Sequence, residues 1–349
     1  MKILTACFVL LLLVVAASLH LARPIFDERL DQLPSRSLAL APIEDAVTLA
    51  VTRDGAVLLV TAANADGVSG IDLGGLLSRR FDDALHAYRE LGYDQLRRLH
   101  QGAHLMQGLP WSALGLPVSG APAAIAAGTN YRAHAEEVGH EGEPFLFPKL
   151  SAPTRWDASV HSGSRLDYEV ELCAVPVSDY RAGSQPQLGL LLCNDFTDRW
   201  LLVRDIDLDG PMGETGFALA KGGATRLPVG PLLVFPRSDD FYRRIELGLA
   251  VDGVLRQRAQ AADMIWTPRE IMARALERCR VSFDSGGQSK RLTGCDRIAA
   301  GTLLLTGTPD GVMFKPAHIW APWAYLRAGD RVTSYGSYLG MLVNEIAEP

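Results

Sequence analysis

The sequence predicts an α+β fold that is rich in β-strands, with a small α+β N-terminal domain followed by a larger domain of mixed strands. From Ala123 onward, short apolar segments alternate with turns that contain Gly and Pro. Asp-Gly pairs at 54–55 and 252–253 each separate two such segments, as in β-hairpins. Segments with helical spacing are few. Apolar residues make up 48% of the 349 residues, which is enough for a sizeable core.

The first 22 residues form an apolar N-terminal segment. Its run from Ile3 to about Leu21 approaches the ~20 residues that cross a bilayer, so it is either an uncleaved membrane anchor or a cleaved signal peptide. The length of the run favours the anchor. Lys2 before the run favours a body outside the cytoplasm, periplasmic in a bacterium, with a cytoplasmic body as the alternative. Residues 23–40 are expected to form a linker.

Residues 41–118 are expected to form the small N-terminal domain. The segment "DAVTLAVTRDGAVLLVTA" at 45–62 predicts a hairpin with its turn at Asp54-Gly55. Apolar residues recur at helical spacing through 78–101 and predict one long helix.

Residues 119–349 are expected to form the larger domain, which has two clear helical segments. One lies near Asp198 to Arg204. The other, "TPREIMARALER" at 267–278, begins with Thr267 as the N-cap, and Glu270 completes a capping box.

Charge and cysteine content limit the partners and the compartment. The net charge is -6 and no basic run is present, so we do not expect nucleic acid as a partner. Cys173 and Cys193 lie in apolar strands and are expected to be buried free thiols. Cys279 and Cys295 flank a polar loop, and their spacing suits a disulfide in an oxidising compartment; paired and free thiols both stay open.

Three carboxylates are candidates for a metal site. Glu169 and Glu171 are two residues apart in a predicted strand and therefore point to the same face. Asp195 ends another predicted strand. If the two strands are neighbours, three carboxylates converge, and such an oxygen-only set suits Mg²⁺ or Mn²⁺. The alternative is a half-solvated strand with its glutamates in water.

Six motifs occur in an order that resembles the fumarylacetoacetase family. They are "AAGTNYRAHAEEVG", "LDYEVEL", "CNDFTDR", "ALAKGG" with "LPVGPLLV", "LLLTGTPDGV" and "LRAGDRVTSYGSYLGMLVNEI", and they span roughly residues 123–349. The resemblance implies a mixed β-sandwich roll of the fumarylacetoacetase C-terminal type. It also implies Mg²⁺ or Mn²⁺ held by Glu169, Glu171 and Asp195, and a homodimer.

The resemblance also implies roles for other residues of these motifs. His134, oriented by Glu137, would activate a water as the catalytic pair, and Lys221 would be a third catalytic group. The expected substrate-binding residues are Tyr131, Lys149, Arg199 and Thr308.

The activity implied by the resemblance is metal-dependent hydrolysis of a carbon–carbon bond in a 1,3-diketo acid, of the acylpyruvate or fumarylpyruvate type. The partner is then a small keto acid. Hydration of a 2-oxo-enoic acid, decarboxylation of a β-keto acid and isomerisation stay open as alternatives, as does a membrane-tethered binding protein without turnover. One departure from the family pattern concerns the substrate pocket. After Asp195 the family often has R-D-x-Q, whereas this chain has "RWLLVRD". Trp200 and Leu202 therefore predict a more apolar substrate pocket.

Overall fold

The computed structural model describes residues 28–102 and 107–348. Within them the chain forms mostly strands, with short helices between. The strands are β1 Ala46–Val51, β2 Val57–Ala63, β3 Gly67–Asp72, β4 Gln107–Pro110, β5 Ala124–Gly128, β6 Phe145–Pro148, β7 Val160–His161, β8 Leu166–Asp167, β9 Val170–Pro176, β10 Leu188–Asn194, β11 Thr197–Asp198, β12 Leu232–Pro236, β13 Glu246–Val251, β14 Val254–Gln260, β15 Phe283–Ser285, β16 Gln288–Lys290, β17 Leu303–Leu305, β18 Arg331–Gly336 and β19 Gly340–Ala347.

The helices are short except for one. The α-helices are α1 Ser35–Leu38, α2 Leu73–Leu77, α3 Ala84–Gln101, α4 Arg132–Val138, α5 Arg199–Asp205, α6 Phe217–Ala220 and α7 Pro268–Glu277. Short 3₁₀ helices lie at Trp111–Ala113, Asp239–Arg244, Ala261–Asp263, Pro316–Trp320 and Pro322–Ala324.

The larger sheet has ten strands in the order β4-β3-β2-β1-β12-β10-β9-β17-β5-β6. All neighbours are antiparallel except β17 and β5, which are parallel. The strands of 41–118 therefore continue the sheet of the larger domain through the β1–β12 pair, and the predicted domain boundaries stay a prediction.

A second sheet of five strands, in the order β14-β13-β18-β19-β7, packs against β9 and β10. Every residue of β9 and β10 is buried, which explains their nearly continuous apolar sequence. Two stacked mixed sheets with few helices confirm the predicted α+β, β-rich fold.

The predicted local signals are confirmed, with one shift. β1 pairs with β2 and β13 pairs with β14, as the two Asp-Gly pairs predict. Thr267 and Glu270 form the capping box of α7. The helix expected over 78–101 begins only at residue 84, because the Asp83 side chain accepts from the amide of His86 and caps the helix there. It is also kinked at Gly92, where φ is 69° and the backbone is not helical.

The N-terminal segment of residues 1–22, predicted to be an anchor or a signal peptide, lies outside the described residues. No helix among residues 28–102 and 107–348 is both long and apolar enough to cross a bilayer. The location of the body stays a prediction.

The prediction that Cys173 and Cys193 are free thiols is wrong. They form a buried disulfide with a Cα–Cα distance of 5.9 Å. The reason is the register of β9 and β10, which places Cys193 opposite Glu171 and makes the two cysteines diagonal neighbours. Cys279 and Cys295 also form a disulfide, and it closes a loop with a sequence separation of 16.

Candidate metal and catalytic site

The three predicted metal ligands converge at one edge of the ten-stranded sheet. Glu169 immediately precedes β9, Glu171 lies within it, and Asp195 follows β10. Because β9 and β10 are antiparallel neighbours, the start of one meets the end of the other. Asp195 donates its amide to the carbonyl of Glu169 at 2.9 Å. One carboxylate oxygen from each residue lies within 4.8 Å of the others, and all three side chains are buried.

Two lysines balance part of this charge. The Nζ of Lys221 donates to Oε2 of Glu169 and lies 3.0 Å from Oδ2 of Asp195. The Nζ of Lys149 lies 2.6 Å from Oδ1 of Asp195 and also donates to the carbonyl oxygen of Arg226 at 2.9 Å. Burial lowers the pKa of Lys149 to about 8, although Asp195 opposes the shift.

Arg199 is held between two carboxylates. Its Nε donates to Oδ2 of Asp167 at 2.8 Å, and its Nη2 donates to Oε1 of Glu169 at 2.5 Å. Burial alone would raise the pKa of Glu169, but Lys221 and Arg199 lower it to about 2. Glu169 is therefore ionised at neutral pH.

Asp167 is a site residue that the sequence analysis missed. Its carboxylate accepts from Arg199 and from the backbone amides of Met313 and Phe314, at 2.9 and 3.0 Å. Asp167 therefore holds the Arg199 side chain next to the loop that follows β17. The signal was present in "LDYEVEL", where Asp167 stands two residues before Glu169 and continues the alternation of acidic residues.

Glu171 is the carboxylate whose charge is compensated least. Its Oε2 accepts from the amide of Gly307 at 2.7 Å, and no Lys or Arg forms an ion pair with it in the described part of the chain. Burial, followed by the charges of Asp195 and Glu169, raises the pKa of Glu171 well above its usual value. A buried oxygen cluster with uncompensated charge fits a hard dication such as Mg²⁺ or Mn²⁺.

His134 and Glu137 form the predicted pair on α4. The Nδ1 of His134 and Oε2 of Glu137 are 3.1 Å apart, which is the contact that residues three apart on a helix can make. The Glu137 carboxylate also accepts from the amide of Gly311, at 3.0 Å through Oε1, and from the Nζ of Lys315. Burial opposes ionisation of Glu137, yet the hydrogen bonds from His134 and Lys315 leave its pKa below the usual value.

Lys315 is a second residue that the sequence analysis missed. It lies on the loop that follows "TGTPDG", and its ammonium contacts Oε1 of Glu137, whereas His134 contacts Oε2. Nothing in the spacing of the sequence relates residue 315 to residue 137, because the contact depends on the course of that loop.

Thr308 lies at the site, in the segment after β17. This segment runs beside β9, so Oγ1 of Thr308 donates to the carbonyl of Val170 at 3.0 Å and accepts from Nε2 of Gln257 at 2.9 Å. Gly307 has a φ of 94° and sits against Asn130, where a Cβ would lie 2.7 Å from the Asn130 side chain. Only glycine fits this turn without a shift.

Two predicted substrate-binding residues do not line the cavity. Tyr131 is buried, and burial raises the pKa of its hydroxyl. Lys149 is wholly enclosed behind Asp195. The geometry gives Lys149 the role of holding a carboxylate, whereas the roles predicted for Tyr131 and Lys149 in substrate binding stay predictions.

A cavity of about 480 Å³ opens beside the triad. Its polar end is lined by His134, Glu169, Arg199, Lys221 and Thr308. Its other end is lined by side chains of α5, α6 and β6. The arrangement places a proton acceptor, cationic donors and a metal-binding carboxylate around one space, which is what metal-assisted attack on a carbonyl needs.

Comparison with known proteins gives one family. Residues 123–347 match the family described as fumarylacetoacetate (FAA) hydrolase C-terminal. The chain is 30% identical over 236 residues to oxaloacetate tautomerase YisK of Bacillus subtilis, which covers 64% of this chain and 68% of that protein. It is 28% identical over 257 residues to 2,4-didehydro-3-deoxy-L-rhamnonate hydrolase of Sphingomonas sp. (strain SKA58), covering 70% of this chain and 79% of that protein.

A solved structure has the same fold. It is maleylpyruvate hydrolase from Sphingobium sp. SYK-6 in complex with manganese(II) and pyruvate, with a TM-score of 0.57 and 18% identity. The match covers 86% of this chain and 99% of that one.

Proposed function

The chain belongs to the fumarylacetoacetate hydrolase family and is an enzyme of that family. From this premise we propose that it is a metal-dependent hydrolase. Its substrate would be a 1,3-diketo acid of the acylpyruvate or fumarylpyruvate type, in which it cleaves a carbon–carbon bond. The observation that carries the proposal is that one cavity is lined both by Glu169 of the acidic triad and by His134, whose Nδ1 contacts Glu137. The Sphingobium hydrolase, which contains manganese and pyruvate, supports it.

The metal would be held by Glu169, Glu171 and Asp195, as Mg²⁺ or Mn²⁺. When bound, it would act as a Lewis acid toward the oxygens of the diketo unit. Lys221 already contacts two of these carboxylates and would keep them oriented.

His134 would take the proton. Its Nδ1 is engaged by Glu137, which leaves Nε2 to accept a proton from a water in the cavity. The water oxygen bonds to the acyl carbonyl carbon, and the bond from that carbon to the neighbouring methylene breaks. The electron pair leaves with pyruvate as its enolate, which takes up a proton on carbon. Arg199 and Lys221 are the cationic donors near this charge.

The proposal is tested with acetylpyruvate and the full chain. Loss of the enol absorbance is followed with EDTA and with added Mg²⁺ or Mn²⁺, and the products are identified by NMR. Metal-dependent release of pyruvate and acetate is expected. Glu171→Gln should lose this activity, whereas Glu277→Gln, a matched change at the exposed end of α7, should keep it.

Tautomerisation is the second candidate, because the Bacillus relative is an oxaloacetate tautomerase at 30% identity. It needs only proton transfer by the same His134. Metal-dependent interconversion of the enol and keto forms of oxaloacetate, without release of pyruvate from any acylpyruvate, would replace the hydrolase proposal with this one.

We propose further that the body of the protein lies outside the cytoplasm, attached or exported through residues 1–22. Two disulfides support this, since disulfides persist in oxidising compartments. Cell fractionation followed by protease treatment of intact spheroplasts tests it. Digestion of the body only after lysis would contradict it.

A homodimer is also proposed, from the family resemblance alone. Light scattering coupled to gel filtration, on the full chain in detergent with the detergent mass subtracted, measures the oligomeric state. A protein mass of one chain, 37.8 kDa, would contradict the dimer.

A further inference from the structure

We propose that the acyl group of the substrate is uncharged and apolar, because the cavity beside the triad continues into a wall of aromatic and aliphatic side chains. This rests on the proposed function and narrows its substrate class. A fumaryl or maleyl group carries a second carboxylate, and an aliphatic or phenyl acyl group does not. The apolar wall of the cavity favours an aliphatic or phenyl acyl group over a fumaryl or maleyl group.

The aromatic part of the wall begins next to the triad. The Nζ of Lys221, which contacts Glu169 and Asp195, lies 5.4 Å from the centre of the Phe147 ring. Phe217 packs 5.2 Å from Phe147 between ring centres. Phe145 packs edge-on against Phe217 at 4.9 Å. An acyl chain that extends from the triad along this wall therefore meets three phenyl rings in succession.

The aliphatic part of the wall comes from α5 and the loop after it. Leu202 and Ile206 of this segment line the cavity, and Met212 follows on the loop. Val203 and Leu208 stand at the mouth and are 41% and 77% exposed. Large exposed apolar side chains that continue a cavity wall are typical of a ligand groove.

The cations of the cavity are already paired with carboxylates. Arg199 and Lys221 are the only Arg and Lys in the lining among the residues that the structure describes. Arg199 donates to Asp167 and Glu169, and Lys221 contacts two members of the triad. Both cations therefore stay at the triad, next to the protein carboxylates and the enolate charge, and the described part of the chain offers no further Lys or Arg in the lining for a second substrate carboxylate.

Among the described residues, two histidines complete the basic groups of the lining. The first, His134, contacts Glu137 through Nδ1, and the second is His140. Its ring packs edge-on against Phe145 at 5.6 Å, and its Nε2 lies 3.0 Å from the carbonyl oxygen of Glu143. This nitrogen is satisfied by the backbone. A carboxylate placed along the phenyl rings would lose its hydration without gaining a counter-ion, which is strongly unfavourable.

The test compares two acylpyruvates of nearly equal shape. Isohexanoylpyruvate ends in an isopropyl group where succinylpyruvate ends in a carboxylate. We expect kcat/KM for the first to exceed that for the second by at least about a hundredfold. Along acetyl, butanoyl and hexanoyl pyruvates, kcat/KM should rise by about fourfold for each buried methylene.

A substitution at the mouth should change this preference. Val203→Arg adds a cation beside the wall and is expected to lower the ratio of isohexanoyl to succinyl kcat/KM by about tenfold or more. Leu208→Arg, on an exposed loop, gives the same readout if Val203→Arg does not fold. Leu76→Arg, on the remote helix α2, is the matched control and should leave the ratio unchanged.

The outcomes separate this inference from the proposed function. Equal or faster cleavage of succinylpyruvate overturns the apolar acyl site and leaves the hydrolase standing. If no acylpyruvate is cleaved, the hydrolase proposal fails, and calorimetric titration with isohexanoic acid and with succinate then decides the inference. The inference of an apolar acyl site is supported if isohexanoic acid binds more tightly than succinate and Val203→Arg weakens its binding. Equal binding of the two acids overturns the inference.

Discussion

The Nζ of Lys149 lies 2.6 Å from Oδ1 of Asp195, and both side chains are fully enclosed. Lys149 reaches Asp195 from behind the cavity, whereas Lys221 reaches the same carboxylate from the cavity side. The acidic triad is therefore held in shape by buried ion pairs that do not depend on substrate. Breaking one such pair leaves an uncompensated charge in the interior, which costs far more than the pair contributes.

Replacement of Lys149 by methionine should destabilise the metal-free protein. The methionine keeps an unbranched side chain, one atom shorter, but leaves Asp195 with one cation fewer, and loss of one partner of a buried pair costs about 3–5 kcal/mol. Urea unfolding in EDTA measures the free energy of unfolding. Added Mg²⁺ or Mn²⁺ should restore part of the loss, since a bound dication replaces the missing charge.

The matched control is Lys290→Met, on the β15–β16 hairpin, because Lys290 does not line the cavity. It should change the free energy of unfolding by less than about 0.5 kcal/mol. If Lys149→Met unfolds at the same urea concentration as the unmodified protein in EDTA, the buried pair does not hold the triad.

Lys315 should set the acid limit of activity through Glu137. Hydrogen bonds from His134 and Lys315 keep the pKa of Glu137 below its usual value, against the effect of burial. A lowered pKa stabilises the folded, ionised form above the unfolded pKa, and this stabilisation is lost as the pH falls through the folded pKa. Lys315→Met removes one lowering contact, so the pKa of Glu137 rises.

The acid limb of the pH profile of kcat/KM should therefore move to higher pH in Lys315→Met, with Lys315→Arg close to the unmodified enzyme. Lys290→Met serves again as the control with an unchanged profile. A uniform fall in kcat/KM with the limb in place would show that Lys315 acts in some other way than on Glu137.

The convergence of the three carboxylates could be predicted from the sequence because they belong to two local patterns. The alternation of strands puts Glu169 and Glu171 on one face, and the polar residue at the end of an apolar strand marks Asp195. The pairing of the two strands, by contrast, is long-range information. The disulfide between Cys173 and Cys193 was missed for the same reason, since it depends on the register of β9 and β10.

Contacts made by loops could not be predicted from the sequence either. Lys315 reaches Glu137 across 178 positions of sequence, and the amides of Met313 and Phe314 reach Asp167 across 146 and 147 positions. No periodicity encodes such a contact. The apolar wall could be predicted in part, because Leu202 stands in α5 where the pattern departs toward apolar residues.

Metal affinity should increase with pH because of Glu171. Its pKa is raised well above the usual value by burial and by the charges of Asp195 and Glu169, so its protonated form persists to higher pH than for an exposed glutamate. A metal needs the carboxylate, and binding must then release that proton. Titration calorimetry with Mn²⁺ in buffers of different ionisation enthalpy measures the number of protons released.

The proton release should fall toward zero as the pH rises, while the affinity increases. Glu171→Gln should bind Mn²⁺ more weakly and release no proton from this position, and Glu277→Gln should behave as the unmodified protein. Binding that is independent of pH through the mildly acidic range would contradict the raised pKa.

The two disulfides should differ in their response to a reductant. Cys295 is exposed at the end of a surface loop, whereas Cys173 and Cys193 are fully buried between β9 and β10. Dithiothreitol under native conditions should therefore open only the Cys279–Cys295 bond. Mass spectrometry after iodoacetamide should find two alkylated cysteines from these disulfides in the native protein and four after unfolding.

The Cys279–Cys295 disulfide closes a loop with a sequence separation of 16, so its loss should lower the free energy of unfolding by about 3 kcal/mol. Simultaneous labelling of all four cysteines in the native protein would show that β9 and β10 open far more readily than their burial implies.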